Sequence, residues 1–310
     1  MYSPVLSPRE EILGVIPPPP GVTPNFINPT SLAHIVLIAN ILFPLMSALF
    51  VTLRLYTTGL IMRTVGIDDY IIALSWLLAC AASSTHSLLT RYGLGRHLWD
   101  VPLSTYNPNF LKVAAVCGTF YGLSIMFSKL SILGLYFRYL PEKPNKAIAT
   151  TMTVVILYSL IGSFKWVLAC RPIEKYWDLR ITHGSCVDWL KINVFTGVMN
   201  TATDVFILLL PIVMLRNIRL PRREKIGLVL VMMTGGFVLV VSIIRLKTTV
   251  DTDYNRDLTW DWARNGIWWM VEMHIAIVCA CLPVGRAFLR KHIPNVIGYN
   301  FNTLGQGSPR

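Results

Sequence analysis

Four polar residues stand inside stretches of sequence that are otherwise almost entirely apolar. Asn200 and Asp204 lie four residues apart and would share one face of a helix, while Lys129 and Glu272 lie in other apolar runs. A charge in the middle of a bilayer costs from about 3 to more than about 10 kcal/mol, so such a residue must face the protein interior and find a partner. The four residues therefore predict a polar cluster at the centre of a helical bundle.

This polar cluster has two interpretations. It is functional if it forms a ligand pocket, an ion site or a proton relay, and in an enzyme Asp204 or Glu272 would be the catalytic acid or base. Alternatively, it is an internal ion pair that fixes helix packing and does nothing else. Pro211 and the pair Gly235-Gly236 favour the functional interpretation, because they loosen helices where motion or close approach is needed.

The amino-acid composition of the chain indicates which secondary-structure elements position these residues. The chain has 310 residues, of which 54% are hydrophobic and 14% charged, whereas a soluble domain carries about 25% charged residues. A hydrocarbon core ~30 Å thick requires about 20 apolar residues per helix, and helix is required because lipid cannot satisfy exposed backbone groups. We therefore predict an all-α membrane protein, a seven-helix bundle within residues 31–289. The predicted spans are 31–53, 69–90, 113–137, 147–170, 192–215, 226–244 and 262–282.

The basic residues between the spans predict an orientation. Fourteen lie on the side of the carboxyl terminus and nine on the other side, with Arg54 counted in the first group and Arg245 in the second. Because cytoplasmic loops carry the excess of Lys and Arg, the amino terminus is expected outside and the carboxyl terminus in the cytoplasm. Residues 1–30 then form a proline-rich, disordered extracellular tail, and residues 290–310 a short cytoplasmic tail.

The net charge of +12 is expected to serve the membrane rather than nucleic acid. No soluble domain is left to present a basic face to nucleic acid, and the basic residues flank the spans, where they suit anionic lipids. The most basic segment runs from Arg216 to Lys225. It is interpreted as a topology and lipid-contact signal, with docking of a cytoplasmic partner as the alternative.

Two kinds of cofactor site are not predicted. A retinal protein needs a lysine in its last span for the Schiff base, but here Lys291 lies beyond Pro283, so no retinal is expected. Glu272 and His274 could be considered as metal ligands, but they are two residues apart and do not share a helix face. No Cys or His group has zinc-ligand spacing on an accessible loop, so no metal site is predicted either.

The cysteines predict one disulfide. Cys170 ends the fourth span and Cys186 lies in the following outer segment, where an oxidising environment permits a bond. The alternative partner is Cys117, near the outer end of the third span. The remaining cysteines lie within spans and are interpreted as small apolar residues.

Short motifs are spread over residues 35–290, and their order and spacing together are typical of a known family. They are Asp68-Asp69-Tyr70, Gly93-Leu94-Gly95-Arg96-His97, Lys129-Leu130-Ser131, Cys170-Arg171-Pro172, Gly184-Ser185-Cys186, Asn200, Asp204, Leu210-Pro211, Gly235-Gly236, Arg245, Glu272 and Ala280-Cys281-Leu282-Pro283. The chain resembles the fungal rhodopsin-domain integral membrane proteins, also called the satratoxin-cluster membrane protein family, to which appressorium-signalling receptor-like proteins are related.

The resemblance implies a seven-helix protein of a fungus in the plasma membrane or an endomembrane. It implies an association with a secondary-metabolite gene cluster, or receptor-like sensing of a small apolar ligand. The alternative is a membrane-embedded isomerase or cyclase acting on a lipophilic pathway intermediate. A transporter is disfavoured, because no inverted repeat is evident.

Overall fold

Seven long helices form the part of the protein that the structure describes. The computed structural model describes residues 14–139, 145–215, 222–254 and 257–292. Within these ranges, seven helices are long and apolar enough to cross a membrane, which confirms the predicted number of spans. They are α1 (Ala33–Tyr56), α2 (Ile67–Leu89), α3 (Asn109–Tyr139), α4 (Asn145–Phe164), α5 (Trp189–Leu215), α6 (Arg222–Tyr254) and α7 (Leu258–His292).

The distribution of side chains on α1 illustrates how the bundle is adapted to lipid. Ile38, Leu45 and Leu49 are each more than 60% exposed, whereas Asn40 and Ser47 are buried. In a soluble protein this arrangement would expose large apolar residues to water at a cost of about 25 cal/mol per Å². In lipid the large apolar side chains face hydrocarbon, and small or polar residues pack between helices.

Helices α6 and α1 extend beyond the predicted ends of their spans, and this corrects the positions of two arginines. The predicted sixth span ended at residue 244, but α6 continues to Tyr254, so Arg245 lies in the helix and is buried. Arg54 is likewise buried, at the end of α1. Hydropathy detects where an apolar run stops, whereas backbone hydrogen bonding continues through a charged residue that has a partner. Arg54 and Arg245 therefore no longer count as loop residues. Because each was counted on a different side of the membrane, the excess of basic residues on the side of the carboxyl terminus is unchanged.

Residues 14–30 are irregular, but they are not the free tail that was predicted. The Val15 N–H donates to the Val101 carbonyl at 3.2 Å, and the Asn25 N–H donates to Asp100 Oδ1 at 2.8 Å. These bonds dock the segment on the loop between α2 and α3, because the loop supplies acceptors for backbone N–H groups of the segment. Residues 1–13 and 293–310 of the predicted tails lie outside the described residues.

The connection between α4 and α5 is closed by a disulfide. Strand β1 (Cys170–Arg171) pairs antiparallel with strand β2 (Ser185–Cys186), and Cys170 is bonded to Cys186. Cys117 is a buried free thiol whose Sγ lies 3.6 Å from the Ala82 carbonyl. The first of the two predicted pairings is therefore confirmed, and the Cys117 alternative is wrong.

Asp178 folds the same loop back on itself and joins it to the connection between α2 and α3. Its Oδ1 accepts hydrogen bonds from the backbone N–H and the Nε of Arg180, each at 3.0 Å, and from Asn107 Nδ2 at 3.2 Å. The backbone bond from Arg180 is the main cause that lowers the pKa of Asp178 to about 2. These bonds thus hold at neutral pH and weaken only as the pH falls through that value.

Arg54 ties three helices together at the end of the bundle opposite the disulfide. Its Nη2 lies 2.7 Å from Asp68 Oδ2 and its Nε 2.9 Å from Asp69 Oδ1, both at the start of α2. Its Nη1 donates to the Ala280 carbonyl of α7 at 2.7 Å. All three charged side chains are buried, so the guanidinium is held by fixed partners instead of solvent.

We expect Arg54→Met to lower the free energy of unfolding by about 3–5 kcal/mol, because it leaves the buried carboxylates of Asp68 and Asp69 without their cation. Thermal melts of the purified protein in detergent measure the change. Lys146→Gln removes the same charge from an exposed position and should melt like wild type. Equal melting of both variants would contradict the role given to Arg54.

Candidate functional site

Polar side chains from five helices meet in the middle of the bundle. We call this set the central network. It consists of Tyr121 and Lys129 of α3, Tyr158 of α4, Asn200, Thr203 and Asp204 of α5, Ser242 and Arg245 of α6, and Glu272 of α7.

The first ion pair of the central network joins α3 to α5. Lys129 Nζ lies 2.9 Å from Asp204 Oδ1. The same ammonium donates to the Asn200 carbonyl at 2.8 Å, to Thr203 Oγ1 at 2.9 Å and to the Tyr158 hydroxyl at 3.2 Å. The three residues of α5 can all reach Lys129 because positions three and four apart share a helix face. An ammonium that is only 4% exposed thus exchanges its water shell for oxygens of the protein.

The second ion pair joins α6 to α7. Arg245 Nε lies 2.5 Å from Glu272 Oε2, and the Tyr121 hydroxyl donates to the same oxygen at 2.6 Å. Glu272 Oε1 accepts from Asn200 Nδ2 at 2.8 Å and from Ser242 Oγ at 2.7 Å. Both carboxylate oxygens are therefore occupied, and Glu272 is only 1% exposed.

Ser242 and Asn200 join the two ion pairs. Ser242 Oγ lies 2.9 Å from Asp204 Oδ2 and 2.7 Å from Glu272 Oε1. A hydroxyl has one proton, so Ser242 donates to one carboxylate at a time. Asn200 Nδ2 also faces both carboxylates, at 3.4 Å from Asp204 Oδ2 and 2.8 Å from Glu272 Oε1. Two cations and two anions thus form one electrically neutral unit.

The structure brings together all four residues that the sequence pattern predicted for a polar centre: Lys129, Asn200, Asp204 and Glu272. Their role in binding or catalysis stays a prediction. Arg245 was missed because it was assigned to a loop. One signal could have identified it: Ser242 and Arg245 are three residues apart and share a helix face.

A cavity lies beside the central network, between α3, α5, α6 and α7. It has a volume of about 50 Å³. Lys129 and Asp204 are at its polar end. Gly235 lies where α6 approaches α5 closely, since a Cβ there would be 2.7 Å from Leu208 Cδ1. The complete lining is Ser128, Lys129, Ile132, Tyr136, Asp204, Ile207, Leu208, Gly235, Val238, Ala276, Cys279 and Pro283.

The buried histidines belong to a separate interface, between α1, α2 and α7. His274 has Ser47 Oγ at 2.8 Å from Nδ1 and Ser83 Oγ at 3.1 Å from Nε2, while His86 Nδ1 lies 3.1 Å from Asn40 Nδ2. His274 thus faces away from Glu272, as their spacing predicted. Within the described ranges, no three His, Cys, Asp or Glu residues are arranged to hold a metal ion.

We expect Lys129→Met and Asp204→Asn to be strongly non-additive. Each single change leaves one buried charge unpaired, whereas the double change removes both. The loss of stability in the double variant should therefore be smaller than the sum of the single losses by about 1–3 kcal/mol. Unfolding by SDS titration in mixed micelles measures all three variants.

The matched control combines Lys129→Met with Lys191→Gln, because Lys191 is 83% exposed and has no contact with Lys129. These two changes should add. Additivity in the Lys129–Asp204 cycle as well would show that the two side chains do not act as a pair.

Comparison with known proteins agrees with this architecture. A model of the family described as the Fungal rhodopsin domain matches residues 53–291. The chain is 27% identical over 204 residues to a SAT4 family membrane protein of Emericella nidulans, which covers 64% of this chain and 51% of that relative. The chain therefore spans about half the length of that protein.

Two further relatives are matched over more of their length. The polyenoic acids biosynthesis gene cluster protein Ba17b of Metarhizium anisopliae is 24% identical over 265 residues, which is 80% of this chain and 72% of the relative. Receptor GIN3 of Arthrobotrys oligospora is 24% identical over 282 residues, which is 90% of this chain and 67% of the relative. Since the family model extends from the end of α1 almost to the end of α7, the chain belongs to the Fungal rhodopsin domain family.

Proposed function

We propose that this integral, multi-pass membrane protein binds a small lipophilic ligand in the cavity beside Lys129 and Asp204, as a non-catalytic component of a secondary-metabolite pathway. The observation that carries the proposal is the cavity itself. Apolar side chains such as Ile132, Ile207 and Val238 line most of it, and one buried ion pair lies at its end. Ligand pockets of proteins typically combine such an apolar wall with a few fixed polar groups.

The chemistry of the cavity defines the ligand class. An apolar body would pack against Ile132, Ile207 and Val238, and a hydroxyl or carbonyl would reach the Lys129–Asp204 pair. The Gly235 position, where α6 approaches Leu208 of α5, would allow a small shift between these two helices on binding.

The hydrogen bonding of the two carboxylates favours binding over acid–base catalysis. Asp204 is paired with Lys129, and both oxygens of Glu272 are taken up by four donors. A general acid or base needs an oxygen that is free to exchange a proton with its substrate. The isomerase or cyclase hypothesis therefore stays the second candidate, with Asp204 as the residue at the cavity.

The relatives support both the pathway setting and ligand sensing. One is named for a polyenoic acid gene cluster and another as a receptor. Binding of a lipophilic molecule is common to both roles, so the proposal specifies binding first. We also propose that the amino terminus and the Cys170–Cys186 loop face the outer, oxidising side, because disulfides persist there and the basic residues are in excess on the opposite side.

Filling the cavity should abolish function without unfolding the protein. Val238→Phe adds a ring to the cavity wall, with an overpacking cost of about 1–3 kcal/mol, and should fail to restore the metabolite profile of a deletion strain. Val240→Phe makes the same change on the same helix at a position that is 53% exposed, and should restore it. A deletion strain with an unchanged profile would refute the pathway role.

A neutral replacement of the ion pair separates binding from catalysis. Lys129→Gln combined with Asp204→Asn keeps hydrogen-bonding groups at the cavity but removes the group that could transfer a proton. A binding protein should lose at most about tenfold in output, the worth of one or two hydrogen bonds. An enzyme should lose about 10²–10⁴-fold and accumulate one defined precursor. The measurement is metabolite profiling of the complemented strains at matched protein levels.

A further inference from the structure

The guanidinium of Arg245 is only partly used by the central network. Its ion pair with Glu272 is made from Nε, and the described residues supply no hydrogen-bond acceptor to Nη1 or Nη2, although the residue is only 7% exposed. These two nitrogens lie against α5 at Gly197, where a Cβ would be 3.9 Å from Nη1 and 3.8 Å from Nη2. Among the described residues the buried Arg245 nitrogen without a hydrogen-bond partner is Nε, so Nη1 and Nη2 are donors that a ligand could still use.

A second cation lies on the same side of the bundle. Lys165, at the end of α4, donates from Nζ to the amide oxygen of Asn193 and lies 5.6 Å from the centre of the Trp189 ring. Among the residues that the structure describes, no carboxylate is within ion-pair distance of Lys165. Lys165 and Arg245 thus meet α5 about one helical turn apart, at Asn193 and Gly197.

One face of α5 organises these cations. Asn193, Gly197, Asn200 and Asp204 are spaced by four, three and four residues, which places them in a single stripe. Lys165 contacts the first position, Arg245 lies against the second, and Lys129 contacts the last two. The stripe is thus accompanied by three cations, Lys165, Arg245 and Lys129. Only two carboxylates, Asp204 and Glu272, balance them. The excess positive charge lies at the end nearer the disulfide loop.

A further donor lies at this end. Trp269 is one turn before Glu272 on α7, stacks on Tyr121 with ring centroids 5.3 Å apart, and has a buried Nε1–H without a partner among the described residues. A set of donors that exceeds its acceptors is the environment that an anion needs.

This end is distinct from the cavity of the proposed function. On α5, the residues that line the cavity begin at Asp204, and Asn193 and Gly197 come before it in the chain. On α6, Gly235 and Val238 line the cavity, and Arg245 comes after them. Since α5 and α6 are consecutive antiparallel spans, both comparisons place Arg245 and the cavity on opposite sides of the central network.

We propose that Arg245 and Lys165 form a binding site for a small organic carboxylate on the disulfide-loop side of the central network. The two free Nη groups present the fork that binds a carboxylate through both oxygens, and the ammonium of Lys165 lies on the adjacent turn of the stripe. The charge balance selects a monoanion. One negative charge neutralises the excess of one cation, whereas a dianion would leave an unpaired negative charge in a medium of low dielectric constant.

The test uses octanoate as the probe and octanol as its uncharged match, with the protein in phosphatidylcholine nanodiscs. Octanoate should raise the melting temperature in a saturable manner, and octanol should not reproduce the shift. Lys165→Gln and Arg245→Lys should weaken octanoate binding by about tenfold or more, the loss expected for one charge-assisted hydrogen bond. Arg245→Lys keeps the charge opposite Glu272, so the fold is retained while the fork is lost.

Two controls make the outcome decisive. Lys191→Gln removes an exposed charge near the same end of α5 and should leave the octanoate affinity unchanged, as should Val238→Phe, which fills the cavity. Equal shifts with octanol, or equal weakening by Lys191→Gln, would overturn the proposal. Loss of octanoate binding in Val238→Phe but not in Lys165→Gln would place the carboxylate in the cavity, which overturns this site and leaves the proposed function intact.

Discussion

A charged side chain inside a hydrocarbon layer has no water to solvate it, so it must be solvated by another helix. Lys129 with Asp204, and Arg245 with Glu272, meet this requirement across four helices. Because the partners must lie within hydrogen-bond distance, each pair fixes the rotation and the height of two helices relative to each other. Apolar packing in lipid is far less selective, since a leucine finds an equivalent environment on either side of an interface. The central network therefore sets the register that the rest of the bundle follows.

The network also joins its two sides physically. The cavity meets it at Lys129 and Asp204, and the Arg245 guanidinium leaves it on the side of the disulfide loop. Ser242 lies between the two carboxylates with a single proton to donate. Any event that draws Glu272 away from Ser242 strengthens the bond of Ser242 to Asp204, and the reverse holds as well. One hydroxyl thus makes the two ion pairs sensitive to each other without a movement of the backbone.

Sequence reasoning succeeded where a single physical cause dominates. Long apolar runs identify spans because hydrocarbon excludes any alternative, and Lys129, Asp204 and Glu272 could be assigned to the interior because a lone charge in lipid is so unfavourable. It failed where a partner decides the outcome. Arg245 ends an apolar run, and only Glu272 on another helix makes it an interior residue. Tyr121 and Tyr158 look apolar in composition, yet their hydroxyls complete the network.

Helix α7 supplies partners to buried polar residues of several other helices, and it is synthesised after them. It carries Glu272 for Arg245, the Ala280 carbonyl for Arg54, and His274 for Ser47 and Ser83, and it leaves the ribosome after the other six helices. A nascent chain of six helices therefore already contains the Arg245 cation but not the carboxylate that neutralises it. The polar contacts of Arg245, Arg54, Ser47 and Ser83 with α7 can form only when α7 has been inserted. Of the seven described helices, α7 is therefore the one whose insertion completes the central network.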